Sequence, residues 1–572
     1  MDKLRDITKR YGFWLLWLAL TAALLVRVHY CTAGEEEAYF LAEANAYLKG
    51  LVPIQEMWGG TYFSALIFMP LAAAFHAVTG GYTGVFLFLR TCYVLFTAAV
   101  SAASYGMLRR FAPPVWAGAA ALLGLIFTPL NLNTFSYNSM ALHFAMLFVL
   151  AALWGAKERR AAPTVLSGAF FALTVQAYPP MIVLAAVCLV LLLCYEKGTR
   201  ARAFGAFCGG GAAVLLVFLA VLRLRAPFSV YLQNLDALFI RDSVHQGHGG
   251  PVSTLVAWLA SCRYWYGTAP ILTVGALWLV TALLRRRVCR GRKLPGWTWP
   301  AVWAALLAVA AWGLLLRPQG YMYYSNMKWF IPGLLWPAVL FAGWPKKKGP
   351  GLVLCLTGMC YAVGIFIGTD LGVVNASYGF YFCVIGELLW LAQIAPKPGR
   401  CALARGAALT VLAVLLPVQL VYMRFCYDSF GNPARAAVRL EEGPMKGLYV
   451  EPEKAKAYEG VLRDVAANVP EGMRFLVVDN LPYAYLLGKY MPCSPAPWIN
   501  DLGDPQLELF YTRNPRLLPE YVLVAAEATG AFNRVDTSAE SLPEGYLKDL
   551  LLQPDTERTE TTSGTIYHIL QG

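Results

Sequence analysis

The amino-acid sequence predicts an all-α polytopic membrane protein of about 13 transmembrane helices with a C-terminal extracytoplasmic α/β domain. Three observations predict it. Apolar residues make up 58% of the 572-residue chain and charged residues only 14%, with a mean hydropathy of +0.51, a balance too apolar for a soluble globule of this length. A bilayer crossing needs about 20 mainly apolar residues, and thirteen such runs occur, at 13–30, 83–107, 115–132, 139–156, 163–179, 181–195, 204–223, 268–284, 297–315, 329–344, 350–368, 377–394 and 404–423. After residue 423 the composition changes to a mixed, charged tail of 149 residues, long enough for a domain of its own.

Orientation follows from the basic residues, because cytoplasmic loops retain Lys and Arg. With the N-terminus inside, the inner loops hold 24 of them, including Lys3, Arg5, Arg109, Arg110, Arg159, Arg160, "RRRVCRGRK" and "KKK", against nine elsewhere before residue 424. The tail carries 21 acids and 14 Lys plus Arg and is placed outside, so the net charge of +13 belongs to the inner membrane face. Nucleic-acid binding is not indicated. A basic start followed by an apolar run also suits a cleaved signal sequence, but Arg27 and His29 interrupt its end and "VHYC" lacks the small residues of a cleavage site, so an uncleaved first span is expected. The 13 cysteines fall mostly inside the apolar runs, and no C-x-x-C spacing appears. A reporter fused after residue 572 should be accessible only from outside, and one placed between Arg287 and Lys293 only from inside. A cytoplasmic C-terminal reporter would overturn the topology.

The first outer loop, within 31–82, is unusual. Only 13 acids precede residue 424, and Glu35, Glu36, Glu37, Glu43 and Glu56 all lie in "GEEEAYFLAEANAYLKGLVPIQEMWGG". From Glu35 to Lys49 the residues favour helix, with Phe40, Ala44, Tyr47 and Leu48 at helical spacing, acids in the first turn and Gly50 as a stop. The pattern predicts an amphipathic helix at the outer membrane surface. A second surface helix is expected in "TYFSALIFMPLAAAFHAVTGG", and Glu43 and Glu56 read as a helix-face acid and a loop acid.

A first span, an outer loop opening "EEEAY", two surface helices, a second span bearing an Arg ("GVFLFLR"), about 13 spans and an outer C-terminal domain together resemble the GT-C glycosyltransferases. The likeness is to the lipid-A aminoarabinose transferase and protein O-mannosyltransferase type, glycosyltransferase family 39-like. It implies transfer of a sugar from a polyprenyl-phosphate donor to a lipid, glycan or protein acceptor on the extracytoplasmic face, with inversion. By the motif the catalytic carboxylate falls on Glu35, with Glu36 its neighbour and Tyr39 close by. The leaving phosphate asks for cationic partners near the membrane face, and Arg90 leads among them. An arginine inside a span is costly unless it pairs or lines a polar cavity, so the alternative role for Arg90 is pairing with an acid such as Glu36.

The chain departs from the family pattern in two places. "GGTYFSALIF" stands where relatives carry a basic residue and prolines, and "FSYNSMALHF" places Asn138 where many have a second acid. Tyr137 and Asn138 can hydrogen-bond sugar hydroxyls, and the plain alternative is that Asn138 caps its helix. The loop "FIRDSVHQGHGG" joins Arg241, His245 and His248 to a glycine-rich turn suited to a lid over a phosphate, and "RPQGYMYYSNMKWF" offers Lys328. His245 and His248 leave a divalent metal open as a cofactor, with no third ligand apparent. Glu387 reads as a structural partner within its span. In the tail, "RFLVVD", "YVLVAA" and "IYHIL" read as strands and "PEKAKAYEGVLRDVAANV" as a helix. Two rival classes stay open. A non-catalytic lipid-binding or assembly protein fits the departures from the motif, and a flippase or transporter fits the span number, although no internal repeat is visible.

Overall fold

The computed structural model of the chain describes residues 2–32, 34–58, 63–127, 133–239, 349–368, 377–394, 433–499, 505–529 and 533–570, with the single positions 256, 260 and 283. Helices and strands below are numbered over those residues. Among them, four helices are long and apolar enough to cross a membrane: Val85–Leu108, Tyr137–Glu158, Lys197–Arg225 and Gly349–Gly368. The apolar runs at 268–284, 297–315, 329–344 and 404–423 lie outside the described residues.

Helix α1 spans Asp2–Arg27, α2 Gly34–Leu48, α3 Ser64–Thr79 and α4 Val85–Leu108. The first packs on α4, where Trp17 Nε1 donates to the Ala98 carbonyl at 3.0 Å and Phe13 stacks on Tyr105 at 3.7 Å. α4 begins after Gly84, whose φ of 81° is the left-handed conformation that glycine adopts without penalty. There its N–H donates to the Gly443 carbonyl in the tail at 3.0 Å. α5, Pro114–Ile126, opens on proline in the first turn, where the missing N–H costs nothing.

α6 (Tyr137–Glu158) is the centre of the helical part, with 89% of its apolar window buried. Its start is fixed by a capping box in which Ser136 Oγ accepts from the Ser139 N–H at 3.1 Å and Ser139 Oγ accepts from the Ser136 N–H at 2.9 Å. The cap expected of Asn138 is therefore made by Ser136, and Asn138 sits inside the first turn. α7 (Ala161–Ala177) crosses α9 (Arg200–Arg225) through glycines on both. A Cβ on Gly168 would lie 1.9 Å from the Phe207 carbonyl, and one on Gly210 the same distance from the Val165 carbonyl, so only glycine permits this approach. α9 is the outermost of the long helices, with 11% of the Lys197–Arg225 window buried. Between them, "YPP" stops α7 at Ala177, because the residue before a proline avoids the helical region. The chain passes through a tight turn at Pro179–Leu184 into α8 (Ala185–Leu193). After α10 (Phe228–Gln233) come α11 (Gly349–Gly368) and α12 (Phe380–Ile394).

The tail holds a short antiparallel pair, β1 (Val438–Arg439) and β2 (Tyr449–Val450), then α13 (Pro452–Asn468). A five-stranded sheet follows in the order β4-β3-β5-β7-β6. Its strands are β3 Arg474–Val478, β4 Met491–Pro492, β5 Tyr521–Ala525, β6 Thr556–Thr561 and β7 Gly564–Ile569. β3 runs parallel to β4 and β5, and β7 antiparallel to β5 and β6. The runs read as strands in the sequence are β3, β5 and β7, whose apolar residues are buried on both faces. β6, "TERTET", is an exposed edge that its charges keep from pairing further. Helices α14 (Pro505–Arg513) and α15 (Tyr546–Leu551) meet through the Tyr511 and Tyr546 rings, 5.9 Å apart.

Candidate functional site

The three acids that open α2 stand in its first turn, where helix N–H groups favour negative charge. The structure describes the backbone but not the side chains of Glu35 and Glu36. Glu37 is buried and clamped by Arg90 from α4. Arg90 Nε lies 3.1 Å from both carboxylate oxygens and Nη2 lies 2.6 Å from Oε2, a bidentate pair with side-chain exposures of 4% and 3%. Arg90 Nη1 donates to the carbonyls of Val28 and Cys31, each at 2.8 Å. Those carbonyls lie just beyond the C-terminus of α1, where helical N–H partners run out and a cation is favoured. One guanidinium thus ties the end of α1 to the start of α2. Of the two roles weighed for Arg90, this is the pairing role, and the acid is Glu37 rather than Glu36.

The link between α1 and α2 is itself paired to the tail. The Cys31 N–H donates to the Tyr449 carbonyl and the Tyr449 N–H to the His29 carbonyl, both at 2.7 Å, while the Tyr30 and Tyr449 rings stack.

α2 is not the one-sided surface helix that its residue spacing predicts. From Glu37 to Tyr47 every residue is buried except Tyr39, which is partly so, because the tail covers the face that would otherwise meet solvent. Asn45 Nδ2 donates to the Tyr485 carbonyl at 3.1 Å, Lys49 Nζ to the Tyr490 carbonyl, and the Tyr39 ring meets Trp498 edge-on at 5.1 Å. Burial pulls Lys49 down to about 8. From the other side, Arg225 Nη1 donates to the Tyr47 carbonyl at 2.6 Å.

Glu43 and Glu56, expected on an exposed helix face and in a loop, are buried as well, at 1% and 2% exposure. Glu43 accepts from Tyr47 Oη at 2.9 Å, and burial, then the neighbouring carboxylate, push that phenol well up and keep it a donor. Glu56 accepts the Val52 N–H and Arg516 Nε, each at 2.8 Å. Arg516 is 63% exposed, so solvent screens its share. Arg516→Ala should therefore shift the melting temperature by only a degree or two, as a difference of about 0.5 kcal/mol would.

Around the first half of α2 the structure gathers several of the sequence-predicted residues. Tyr137 lies 5.6 Å from Phe40 and 4.8 Å from Tyr178, ring to ring. Asn138 is 3% exposed, and its backbone carbonyl accepts from Tyr361 Oη at 3.5 Å. Four buried polar atoms, Thr32 Oγ1, Asn45 Oδ1, Ser64 Oγ and Asn138 Oδ1, have no hydrogen-bond partner among the described residues. Orphaned polar groups are rare enough in folded proteins that each calls for an explanation. Arg241, His245, His248 and Lys328 lie outside the described residues. Among the described residues no group of three or more His, Cys, Asp or Glu is placed to hold a metal ion.

Tyr178, Tyr361 and Trp498, which adjoin these residues, belong to no motif singled out in the sequence. Tyr178 had a sign in the sequence, since two prolines inside an apolar run mark irregular backbone, which at membrane depth is tolerated where protein buries it or a cavity adjoins it.

No protein-family model matches the chain, and no curated protein matches it. Two solved structures overlay on nearly all of it. One is the archaeal oligosaccharyltransferase AglB from Archaeoglobus fulgidus, in complex with an inhibitory peptide and a dolichol-phosphate. It is 13% identical at a TM-score of 0.43, with 99% of this chain and 75% of that chain covered. The other is ArnT from Cupriavidus metallidurans bound to undecaprenyl phosphate, 11% identical at a TM-score of 0.38, with 98% of this chain and 99% of that chain covered. Superpositions at this level describe layout and assign no residue.

Proposed function

We propose that the chain is a membrane glycosyltransferase of the GT-C type, moving a sugar from a polyprenyl-phosphate donor to an acceptor on the extracytoplasmic face. The observation that carries the reading is the Arg90–Glu37 clamp. A buried ion pair is seldom a gain in stability over apolar packing, so one that fixes the first turn of an acid-rich helix suggests a demand on geometry. In this reading Glu35 is the general base, with Glu36 beside it on the same turn. A hydroxyl is a poor nucleophile until a positioned carboxylate takes its proton. Attack from the face opposite the phosphate inverts the anomeric carbon, and the proton passes from the acceptor oxygen to the Glu35 carboxylate. Arg90 is a positioning residue here, since its bonds run to Glu37 and to two carbonyls. The donor phosphate would fall to Arg241, His245, His248 or Lys328. The orphaned atoms of Thr32, Asn45, Ser64 and Asn138 would receive sugar hydroxyls or water.

Mass spectrometry of lipids from a deletion strain tests the reading. A lipid-linked sugar should accumulate and return to its ordinary level when the intact gene, but not one encoding Glu35→Gln, is restored. Unchanged lipid-linked sugars, or rescue by the Gln variant, would leave a lipid-binding role without transfer.

A further inference from the structure

The tail contains a second constellation of polar side chains, away from the clamp. β3 has parallel neighbours on both sides: the chain leaves it for β4 on one side and then crosses to β5 on the other. A reversal of this kind opens a crevice beyond the carboxyl ends of the strands, where α/β sheets bind ligands. Asp479 stands at that end of β3. Its φ of 69° lies in the left-handed region, which Asp tolerates better than most residues, and its N–H donates to the Ile499 carbonyl at 2.8 Å. Arg534 comes to the same edge by pairing with the end of β5, its N–H donating to the Ala525 carbonyl at 3.3 Å and its own carbonyl accepting from Glu527 at 2.7 Å. Arg534 Nε donates to Asp479 Oδ2 at 2.8 Å, with side-chain exposures of 22% and 2%. Beside them, Asn533 Oδ1 accepts the Asn480 N–H at 2.7 Å.

That single bond leaves much of the pair unused. Among the described residues, Asp479 Oδ1 and both Nη groups of Arg534 have no hydrogen-bond partner. Burial pushes the Asp479 carboxyl up to about 6 against the pull of Arg534, so near pH 7.5 the two charges cancel. An anion at this edge meets the carboxylate, and a cation meets the guanidinium. Neutral adjacent hydroxyls meet neither penalty, since each can donate to Oδ1 or accept from Nη. The chain that pairs with Asp479 also runs to α2. Trp498 precedes Ile499, the partner of Asp479, and among the described residues its buried indole N–H has no acceptor. The ring touches Tyr39 on α2, three residues past Glu36.

We propose that this edge is a carbohydrate site in which Asp479 and Arg534 hold neighbouring hydroxyls of a sugar. Resting on the transfer reading, the sugar held there belongs to the acceptor, which extends past Tyr39 toward the start of α2.

Saturation-transfer NMR on the full-length protein in lipid nanodiscs tests the site without requiring turnover. The probes are free glucose, galactose, mannose, N-acetylglucosamine and arabinose, each at millimolar concentration and pH 7.5, with inorganic phosphate as competitor. At least one sugar should show transfer that phosphate does not displace, and that falls at least tenfold in both Asp479→Asn and Arg534→Gln. Should Asp479→Asn lower the melting temperature, Arg534→Gln, at the more exposed partner, carries the comparison. The proposal is overturned if no sugar binds the unmodified protein, if phosphate displaces the sugar, or if a variant that melts normally binds as well as the original. Measuring transfer from a lipid-linked donor on the same samples separates the two readings. Transfer without sugar binding rejects this site alone, and sugar binding without any transfer rejects the enzyme while keeping the site.

Discussion

Replacing Glu35 by glutamine is expected to lower sugar transfer by about two to four orders of magnitude, the range that loss of a positioned general base produces, while binding of the lipid donor is largely kept. Glutamine preserves shape and hydrogen bonding and removes only the ability to take a proton. Glu37→Gln should behave differently, losing stability first and transfer with it, since Glu37 is engaged by Arg90. Glu43→Gln keeps a partner for Tyr47 Oη and should cost least among the buried acids. An assay of all five Gln variants decides the assignment. If Glu36→Gln abolishes transfer while Glu35→Gln is active, the base is one residue further along; if all five transfer normally, the catalytic reading of the loop is wrong.

Arg90→Ala carries the second large effect. It takes the guanidinium away from the buried Glu37 carboxylate and two backbone carbonyls, and removing one member of a buried pair costs about 3–5 kcal/mol. Arg90→Lys should recover only part, since a single ammonium cannot reach the carboxylate in two places and both carbonyls as the planar fork does. The paired variant Arg90→Met with Glu37→Leu separates holding the fold from holding the site. Replacing both charges by apolar groups should restore much of the thermal stability and yet leave transfer low, because α2 has lost its fixed approach. If the double variant regains both, the pair only stabilises the fold. If Arg90→Ala melts normally but no longer binds the lipid donor, Arg90 contacts phosphate and the positioning role is wrong.

The helices were legible wherever the apolar run was long, as for α4, α6 and α9, because a membrane interior enforces both length and composition. Arg90 was legible for the same reason, as a charge that an apolar helix must account for. Its partner was not. Adjacent residues on a helix point about 100° apart, so choosing between Glu36 and Glu37 needs the phase of α2 against α4, which only the packed structure supplies. The burial of α2 was hidden too: its acids and helical spacing describe a surface helix, and the residues that cover it, Tyr485 and Tyr490, lie 440 and 441 positions from their partners. In the tail, apolar β3, β5 and β7 were readable, whereas the two-residue β4 and the polar edge strand β6 have no apolar pattern to read.

The pairing of Tyr449 with His29 and Cys31 bears on how the protein is made. Synthesis runs from the N-terminus, and early parts of a chain ordinarily fold before later ones emerge. Here the segment that leads into the acid-rich helix has its strand partner more than four hundred residues downstream. A ribosome-bound intermediate therefore carries α2 to the membrane long before the tail can close over it. The helical part can insert in order, but the enclosure of α2 waits for the last quarter of translation. Chains cut short before β2 would leave the buried residues of α2, Glu37 to Tyr47, without the cover of the tail.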